Sequence, residues 1–317
     1  MNSGRAYWVV APGQGALRPV DLPSAGPEDV TVRMLASGVS RGTERLVLQG
    51  RVPQSEHARM RCPFQDGAFP FPVKYGYCAV GRAEDGPRAG QRVFVLHPHQ
   101  ERFVVPSSWA HEIPATVPDA RATLAANMET ALNALWDAEL APGERVAVIG
   151  AGVVGLLVAC LARDAGGAPL VVDPDPARRD LAHRLGLETA PAATGEHDVV
   201  VHASGNPEGL VAALSVAAFE GRVIELSWFG DRPVTLPLGG AFHARRLRIV
   251  ASQVGHVARP KRATTTHADR LAQALARLAD PRYDMLIGPC IAFADLPAHL
   301  PALLEGNPLP PHIVVVY

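Results

Sequence analysis

The sequence predicts an α/β protein with two lobes, a small β lobe followed by a doubly wound parallel sheet. Three observations support this fold class. Short β-branched runs separated by glycine and proline fill the chain up to about Pro118. Beyond Arg145, apolar strands alternate with amphipathic helices, and a glycine-rich turn joins the first of these strands to its helix. The 317 residues are long for one core and sufficient for two lobes.

The first lobe is predicted from its short strands, which read DVTVRML (29–35), YCAVGRA (77–83), QRVFVL (91–96) and ERFVVP (101–106). Runs of this length, bounded by turn residues, indicate a barrel-like or sandwich-like β structure. The segment from Ala120 to Leu140 comes next. It lacks glycine and proline and is rich in Ala and Leu, so it predicts a helix.

The second lobe is predicted from alternation, because near-continuous apolar strands separated by amphipathic helices are typical of a covered parallel sheet. We expect strands at 145–149, 169–173, 197–203, 221–227 and 246–254, with helices at 153–166, 176–186 and 207–219. Helices at 268–278 and 296–304 and a strand at 312–317 form a tail that could close back onto the first lobe. The predicted domains are residues 1–118, 119–256 and 257–317.

The composition argues against several partners and locations. Lys plus Arg total 30 and Asp plus Glu 31, so no charge excess indicates binding to nucleic acid or to an anionic membrane. The apolar segment Val146–Ala162 is shorter than the roughly 20 residues of a membrane-spanning helix, and the N-terminus has no apolar signal core. Scattered cysteines argue against disulfides and suit a reducing cytosol; they are Cys62, Cys78, Cys160 and Cys290. We therefore expect a cytoplasmic protein.

The strongest motif is IGAGVVG, which follows a strand and opens a helix. Gly150 permits the tight turn, Gly152 lets the backbone approach a pyrophosphate, and Gly155 lets helix and strand pack closely. This context predicts a Rossmann dinucleotide-binding site. The remaining residues of the turn are predicted to contact the cofactor through their backbone: Ala151, Val153 and Val154.

Asp173 ends the next strand, 18 residues after Gly155, near the position of an acid that bonds the adenosine ribose hydroxyls. A carboxylate there disfavours a 2′-phosphate, so NAD is expected as the cofactor rather than NADP. Arg178 either lies along the adenosine edge or caps a helix surface.

Two turns follow later strands of the predicted sheet, at Ser204 with Gly205 and at Ser227 with Trp228. Open α/β sheets hold ligands in the crevice outside the carboxyl ends of their strands. We therefore expect these four residues to contact the ribose and nicotinamide.

This order of parts resembles the medium-chain dehydrogenase/reductase family over nearly the whole chain. ASGVSRGTERLVLQG (36–50) looks like the segment that carries the first catalytic zinc ligand, and KYGYCAVGRA (74–83) looks like the Gly-His-Glu segment. SGVSRGTERL and the Gly-Tyr pair most resemble the bacteriochlorophyllide a dehydrogenase branch. The resemblance implies a GroES-like β-barrel catalytic domain beside the Rossmann domain. It also implies a homodimer joined by edge strands near 246–254.

The family's zinc-ligand positions hold other residue types. By resemblance, Ser40 stands at the ligand cysteine, Tyr77 at the ligand histidine and Cys78 at the adjacent glutamate. The third ligand falls near Ala125 or Ala126. A hydroxyl, a phenol and a methyl do not make an open catalytic zinc site, so the resemblance implies a zinc-free member.

The family's four-cysteine structural zinc lobe is also missing, because only HPHQ (97–100) stands in its place. His97 and His99 in this segment either line a substrate entrance or are solvated. A rebuilt metal site stays open as an alternative, and its side chains would be His57, Cys62, Cys78 and His97.

Without zinc, a protein group must stabilise the substrate oxygen. Tyr77 should point into the substrate cleft by resemblance, where its phenol donates to a carbonyl, and a neighbouring Lys74 could lower its pKa. Ser40 would also face the cleft as a donor. Tyr75 either touches substrate or fills the core. We therefore name Tyr77, Lys74 and Ser40 as catalytic candidates.

Glu129 and Thr130 lie on the Ala-rich helix, and the resemblance places them near the nicotinamide. Glu129 is either a surface residue or a proton carrier, and we favour the carrier. Thr130 is expected to contact the cofactor.

Three functions remain open from the sequence. The first is an NAD-dependent oxidoreductase that interconverts an alcohol and a carbonyl, with a protein acid/base in place of zinc. The second is an NAD(P)H-dependent quinone or enoyl reductase, against which Asp173 argues. The third is a cofactor-binding protein without turnover. We favour the first, acting on a small-molecule substrate.

Overall fold

The computed structural model describes residues 3–306 and 311–317. It divides into two compact units. Unit 1 comprises Met1–Ala126 and Ala274–Tyr317, and unit 2 comprises Asn127–Gln273. The domain limits expected from the sequence, after 118 and after 256, remain predictions. No helix in the described part of the chain is long and apolar enough to cross a bilayer.

The strands and α-helices are as follows. In the first part of the chain they are β1 Ser3–Ala11, β2 Gln14–Asp21, β3 Asp29–Val39, α1 Arg41–Leu48, β4 Asp66–Gly67, β5 Val73–Lys74, β6 Ala79–Ala83, β7 Arg92–Val95, β8 Arg102–Pro106, β9 His111–Glu112, α2 Asp119–Ala122 and α3 Ala125–Ala138. The later ones are β10 Arg145–Ile149, α4 Val153–Asp164, β11 Ala168–Val172, α5 Pro176–Arg184, β12 Glu188–Ala190, β13 His197–His202, α6 Pro207–Val216, β14 Ala217–Glu225, β15 Arg248–Ala251, α7 His267–Arg277, β16 Ile287–Ala292, α8 Leu296–Glu305 and β17 His312–Val316.

Unit 1 contains two sheets. The larger has the strand order β16-β17-β3-β6-β7-β9, and β8 also pairs with β3; the smaller has the order β2-β1-β5-β4. β17 runs antiparallel to β3, with Val314 opposite Gly38. Side chains of β3, β7 and β8 form an apolar core that includes Val32, Val93 and Phe103. The last strand of the chain therefore lies in a sheet built from its first strands.

Unit 2 contains a parallel sheet of order β12-β11-β10-β13-β14-β15. Its central strand β10 places Val148 opposite Val171 on one side and Val201 on the other. All three side chains are fully buried, as expected of strands covered on both faces. The predicted α/β class with a doubly wound parallel sheet is confirmed.

Three elements differ from their predicted limits. The helix expected from Ala120 to Leu140 is two helices, α2 and α3, and at the break the Thr123 hydroxyl donates to the carbonyl of Ala120. The helix expected to reach Phe219 ends at Val216, because Ala217 already pairs with His197 in the sheet. The last strand starts at Arg248, since Arg246 has φ +54°, which a strand does not adopt.

Candidate cofactor and active sites

The glycine-rich turn connects β10 to α4 in unit 2. Gly150 has φ +109°, and a Cβ there would lie 2.8 Å from the backbone nitrogen of Ser204. A Cβ on Gly155 would lie 2.0 Å from the carbonyl oxygen of Gly150. In contrast, open space surrounds Gly152, the N-cap of α4. The first-turn N–H groups of a helix lack intrahelical acceptors, so this turn fits a dinucleotide pyrophosphate.

Three more predicted contacts belong to the same turn. Ala151 is buried, whereas Val153 and Val154 are half-buried at the start of α4. Thr130, on α3, is half-buried as well.

Asp173 is buried directly after β11 and hydrogen-bonds to the glycine-rich turn. Its Oδ2 accepts a 2.8 Å hydrogen bond from the backbone of Ala151, and its Oδ1 accepts one of 2.9 Å from Asp175. Arg178 lies at the same corner, 3.8 Å from Asp173 and 3.6 Å from Asp175. The carboxylate therefore orders the turn, a role that the sequence analysis missed. Its contact with ribose stays a prediction.

The turns after β13 and β14 share a buried polar cluster. His202 is fully buried; its Nδ1 lies 2.8 Å from the Glu225 carboxylate and its Nε2 2.7 Å from the hydroxyl of Ser204. The backbone of Gly205 donates to the hydroxyl of Ser227 at 3.0 Å. Hydrogen bonds thus bring together three of the four residues predicted in these turns, and Trp228 follows Ser227 half-buried.

Tyr77 in unit 1 is half-buried and neutral. Burial raises the pKa of its phenol, the nearby Cys78 raises it further, and hydrogen bonds with the hydroxyls of Ser40 and Thr43 only partly oppose this. The two predicted catalytic residues Tyr77 and Ser40 therefore lie within hydrogen-bonding distance. A phenol with a raised pKa keeps its proton and can donate it.

Lys74 does not act on Tyr77 as expected. Its ammonium donates to Gln100 Oε1 at 3.0 Å and lies 3.7 Å from Asp66. The expectation that Lys74 lowers the pKa of Tyr77 was wrong, because burial dominates and the pKa rises. Tyr75 is buried and packs edge-on against Tyr77 at 6.0 Å, in the core of the lobe.

A buried hydrogen-bonded chain supports the Ser40 backbone. The backbone of Ser40 donates to Glu44 Oε1 at 2.7 Å, and Glu44 Oε2 lies 3.0 Å from His99 Nε2. His99 Nδ1 lies 2.7 Å from the Ser37 hydroxyl, which in turn lies 2.9 Å from the Tyr317 hydroxyl. His99 and Glu44 are both buried, so of the two alternatives for His99 the solvated one was wrong. His97 is also buried, and its ring stacks on Phe103.

Glu129 in unit 2 is buried in an ion pair. Its Oε1 accepts from Arg270 Nε at 3.1 Å, and Arg270 also donates to Asn133 and to two backbone carbonyls. Burial raises the pKa of Glu129 to about 6, and the charge of Arg270 opposes the shift. The sequence predicted Glu129 as either a surface residue or a proton carrier. The structure shows a third arrangement, in which Glu129 is the buried partner of Arg270.

The described residues contain no group of three or more His, Cys, Asp or Glu side chains arranged to hold a metal ion. The alternative site rebuilt around His57 and Cys62 is not assembled. His57 Nε2 donates to the carbonyl of Val52 at 3.1 Å, and burial raises the pKa of the Cys62 thiol to about 12. At the family's ligand positions, the donors Ser40 and Tyr77 do not fit a catalytic zinc ion.

Two polar pairs were missed from the sequence, His202 with Glu225 and His99 with Glu44. For the first pair a signal existed. A lone His ends the apolar strand HDVVVH and a lone Glu ends the next strand, and the parallel register places them side by side. The second pair joins residues 55 positions apart, and no local pattern announces it.

The comparisons with known proteins agree with this geometry. No family model matches the chain. It is 30% identical over 272 residues to 2-desacetyl-2-hydroxyethyl bacteriochlorophyllide A dehydrogenase of Cereibacter sphaeroides. This match covers 78% of the chain and 80% of that protein. It is 31% identical over 257 residues to the protein of the same name from Rhodobacter capsulatus. This match covers 73% of the chain and 75% of that protein.

Solved structures share the fold at low identity. An alcohol dehydrogenase from Escherichia coli CFT073 complexed with NADH superposes with a TM-score of 0.80 at 16% identity, and both chains are covered fully. A zinc-binding dehydrogenase from Sinorhizobium meliloti 1021 bound to NADP gives a TM-score of 0.79 at 20% identity, again over both full chains. The chain therefore belongs to the zinc-type alcohol dehydrogenase-like medium-chain dehydrogenase/reductase family, whose members are NAD(P)-dependent oxidoreductases.

Proposed function

We propose that this protein is an NAD(H)-dependent, zinc-independent oxidoreductase that interconverts an alcohol and a carbonyl. The observation that carries the proposal is the donor set at two of the family's zinc-ligand positions. There a phenol and a hydroxyl, Tyr77 and Ser40, hydrogen-bond to each other. Zinc prefers thiolate, imidazole and carboxylate ligands, and neither residue provides one.

In the proposed mechanism, Tyr77 donates a hydrogen bond to the substrate oxygen and supplies the proton when a carbonyl is reduced. The hydroxyls of Ser40 and Thr43 orient the phenol, and Glu44 holds the backbone of Ser40. A bound nicotinamide supplies or accepts the hydride. In the opposite direction, the phenol would have to take up the alcohol proton. Because the pKa of Tyr77 is raised, the phenol is protonated near neutral pH, the form that donates to a carbonyl oxygen.

Metal content per chain tests zinc independence. The protein is purified without chelator or added zinc and examined by elemental analysis, and turnover is compared before and after dialysis against a chelator. We expect far less than one zinc per chain and unchanged turnover. About one zinc per chain, lost together with activity, would contradict the proposal.

A substrate panel tests the reaction type. Oxidation of NADH is followed with ketones, quinones and enones, and each product is identified. Reduction of ketones to alcohols supports the proposal, whereas reduction of a C=C bond supports an enoyl reductase. Tight NADH binding without turnover on the panel or on cell extract would indicate a binding protein.

The preference for NAD rests on Asp173. We expect Asp173→Ala to weaken NADH binding and to relax discrimination against NADPH, because the carboxylate that would repel a 2′-phosphate is gone. Asp173→Asn is the matched control, since its amide oxygen can still accept from Ala151. Lost discrimination in both variants supports a ribose contact. Unchanged NADH preference in both would limit Asp173 to ordering the turn.

We also propose a cytoplasmic location for this protein. All four cysteines are free thiols, and three of them are buried. Reduced thiols suit a reducing compartment.

A further inference from the structure

Unit 1 contains a cavity of about 260 Å³ that Tyr77 and Ser40 do not line. It would hold about nine waters at roughly 30 Å³ each, or a ligand of similar size. Its walls combine apolar and polar side chains. The apolar ones include Leu22, Phe64, Phe103 and Val104, and the polar ones are Asp21, Gln65, Asp66, Lys74, His97 and Gln100.

Two hydrogen-bond donors in these walls have capacity to spare. Gln65 is buried, and its Nε2 has no hydrogen-bond partner, although its Oε1 accepts from the backbone of Cys62 at 3.2 Å. Lys74 is also buried; of the three protons of its ammonium, one is donated to Gln100 and a second is directed to Asp66, which leaves one for a ligand. A buried amide N–H group without a partner destabilises the folded state. A ligand oxygen that accepts from both groups would remove that cost.

The aromatic walls favour a flat apolar body. His97 stacks on Phe103 with ring centroids 3.7 Å apart and on Phe64 at 5.4 Å. His97 Nδ1 donates to the carbonyl of Pro98 at 2.9 Å, and burial lowers the pKa of this imidazole to about 3, so the ring is neutral. The cavity is therefore lined by uncharged aromatic rings, of which Phe64 is the most exposed, next to one ammonium.

The charges restrict the ligand further. Asp66 lies 3.7 Å from the Lys74 ammonium, and its side chain is 63% exposed, so water weakens this pair. Asp21, also exposed, is the second carboxylate of the lining. Both acids are exposed, so water screens their repulsion of an anion, whereas the ammonium of Lys74 is buried and screened less. A dianion such as a phosphate or a dicarboxylate meets twice the repulsion that a monoanion meets, so a single negative charge is favoured.

We propose that this cavity is a second small-molecule site, separate from the cofactor turn, that binds an aromatic monocarboxylate. Its carboxylate accepts from Lys74 and Gln65, and its ring lies against Phe64. The proposal does not depend on the catalytic role of Tyr77.

Calorimetric titration of the full-length protein with benzoate tests the site. We expect saturable binding to the wild type, at least about tenfold weaker binding to Lys74→Met, and several-fold weaker binding to Gln65→Leu, because each change removes one donor. Phosphate and succinate should bind at least about tenfold more weakly than benzoate. The chain has only one other lysine, the exposed Lys261. Lys261→Met is the matched control and should alter affinity by less than about twofold.

Lysine acetylation locates the ligand without any substitution. Acetic anhydride is added to the wild type with and without benzoate, and both lysine peptides are quantified by mass spectrometry. Benzoate should protect Lys74 and leave Lys261 unchanged. Absence of heat from benzoate, equal affinity of the folded Lys74→Met variant, or equal protection of both lysines would overturn the proposal.

Discussion

At the scale of single residues, the raised pKa of Tyr77 decides which role its phenol can play. A tyrosine that acts as a base must lose its proton near neutral pH, whereas one that acts as a donor must keep it. Burial and the neighbouring Cys78 keep the proton on Tyr77. The phenol is therefore suited to donate to a substrate oxygen.

Replacing Tyr77 by Phe removes this donor and keeps the ring. We expect kcat for ketone reduction to fall about 100-fold or more, the scale of general acid catalysis, with NADH affinity unchanged. Steady-state kinetics and NADH fluorescence titration measure the two quantities. Tyr75→Phe, which removes the hydroxyl of the buried neighbouring tyrosine, is the control and should keep kcat near wild type. A wild-type kcat in Tyr77→Phe would reduce Tyr77 to a packing residue.

Glu129 predicts a pH dependence of stability. Burial raises its pKa to about 6 from an ordinary 4.5, so between these values the folded state holds a proton that the unfolded state has lost. The free energy of unfolding therefore falls as the pH rises through this window. One pKa unit corresponds to roughly 1.4 kcal/mol, which gives about 2 kcal/mol in all.

Glu129→Gln cannot ionise and should not show this loss. Urea unfolding of both proteins at pH 4.5 and 7.5 measures it. The wild-type stability minus the variant stability should be about 2 kcal/mol lower at the higher pH. Equal differences at the two pH values would show that the Arg270 charge offsets the burial of Glu129.

The sequence predicted a site residue correctly where a local sequence pattern alone determines the contacts of that residue. Gly150 and Gly155 were predictable because the strand–turn–helix context leaves no room for a side chain at either position. The direction of the Tyr77 pKa shift was not predictable, since it depends on burial. Likewise, the partner of Lys74 is Gln100, 26 residues away, rather than its near neighbour in sequence.

At the scale of secondary structure, the strands of the parallel sheet were predictable because a doubly covered strand needs a continuous apolar run. The helix ends were harder to predict. Val216 and Ala217 have similar local preferences, and what ends α6 between them is pairing of Ala217 with His197 in a neighbouring strand. Sequence propensity contains no information about that pairing.

The edge strand β15 carries the proposed dimer contact. It is last in the order of its sheet, and the backbone nitrogen of Ser252 donates to Glu225 in β14. Because N–H directions alternate along a strand, the N–H groups of Ile249 and Ala251 point away from β14. Ile249 is also 37% exposed, so its apolar side chain is available for contact with a second copy. We propose that two copies join through this edge.

Ile249→Pro should therefore make the protein monomeric while leaving pairing with β14 intact, since proline removes only an outward N–H group. Ile249→Thr keeps that N–H and is the control. Sedimentation velocity measures the oligomeric state, and circular dichroism checks the fold. A proline variant that still dimerises, or a wild type that is monomeric, would refute the edge-strand dimer.

At the scale of the whole molecule, the two units differ in how the chain builds them. Unit 2 is one continuous segment, whereas unit 1 is assembled from both ends of the chain. In the larger sheet of unit 1, β17 lies between β16 and β3. Loss of β17 would therefore separate the N-terminal strands from β16.

Ending the chain at Gly306 should destabilise unit 1 and spare unit 2. Limited proteolysis with mass spectrometry should then yield a resistant fragment close to 127–273, while the N-terminal segment is digested. The chain with all 317 residues, which keeps β17 and Tyr317, is the control. Equal resistance of both units in the shorter chain would show that β17 is dispensable.

The pairing of β17 with β3 also affects folding during synthesis of the chain. β3 reaches its partner β17 only after the 273 residues from Ser40 to His312 have been synthesised. At about 5–20 residues per second this takes roughly 14–55 s. During that interval one edge of β3 has no permanent partner. We expect ribosome-associated chaperones to occupy the N-terminal third of the chain until β17 has emerged from the ribosome.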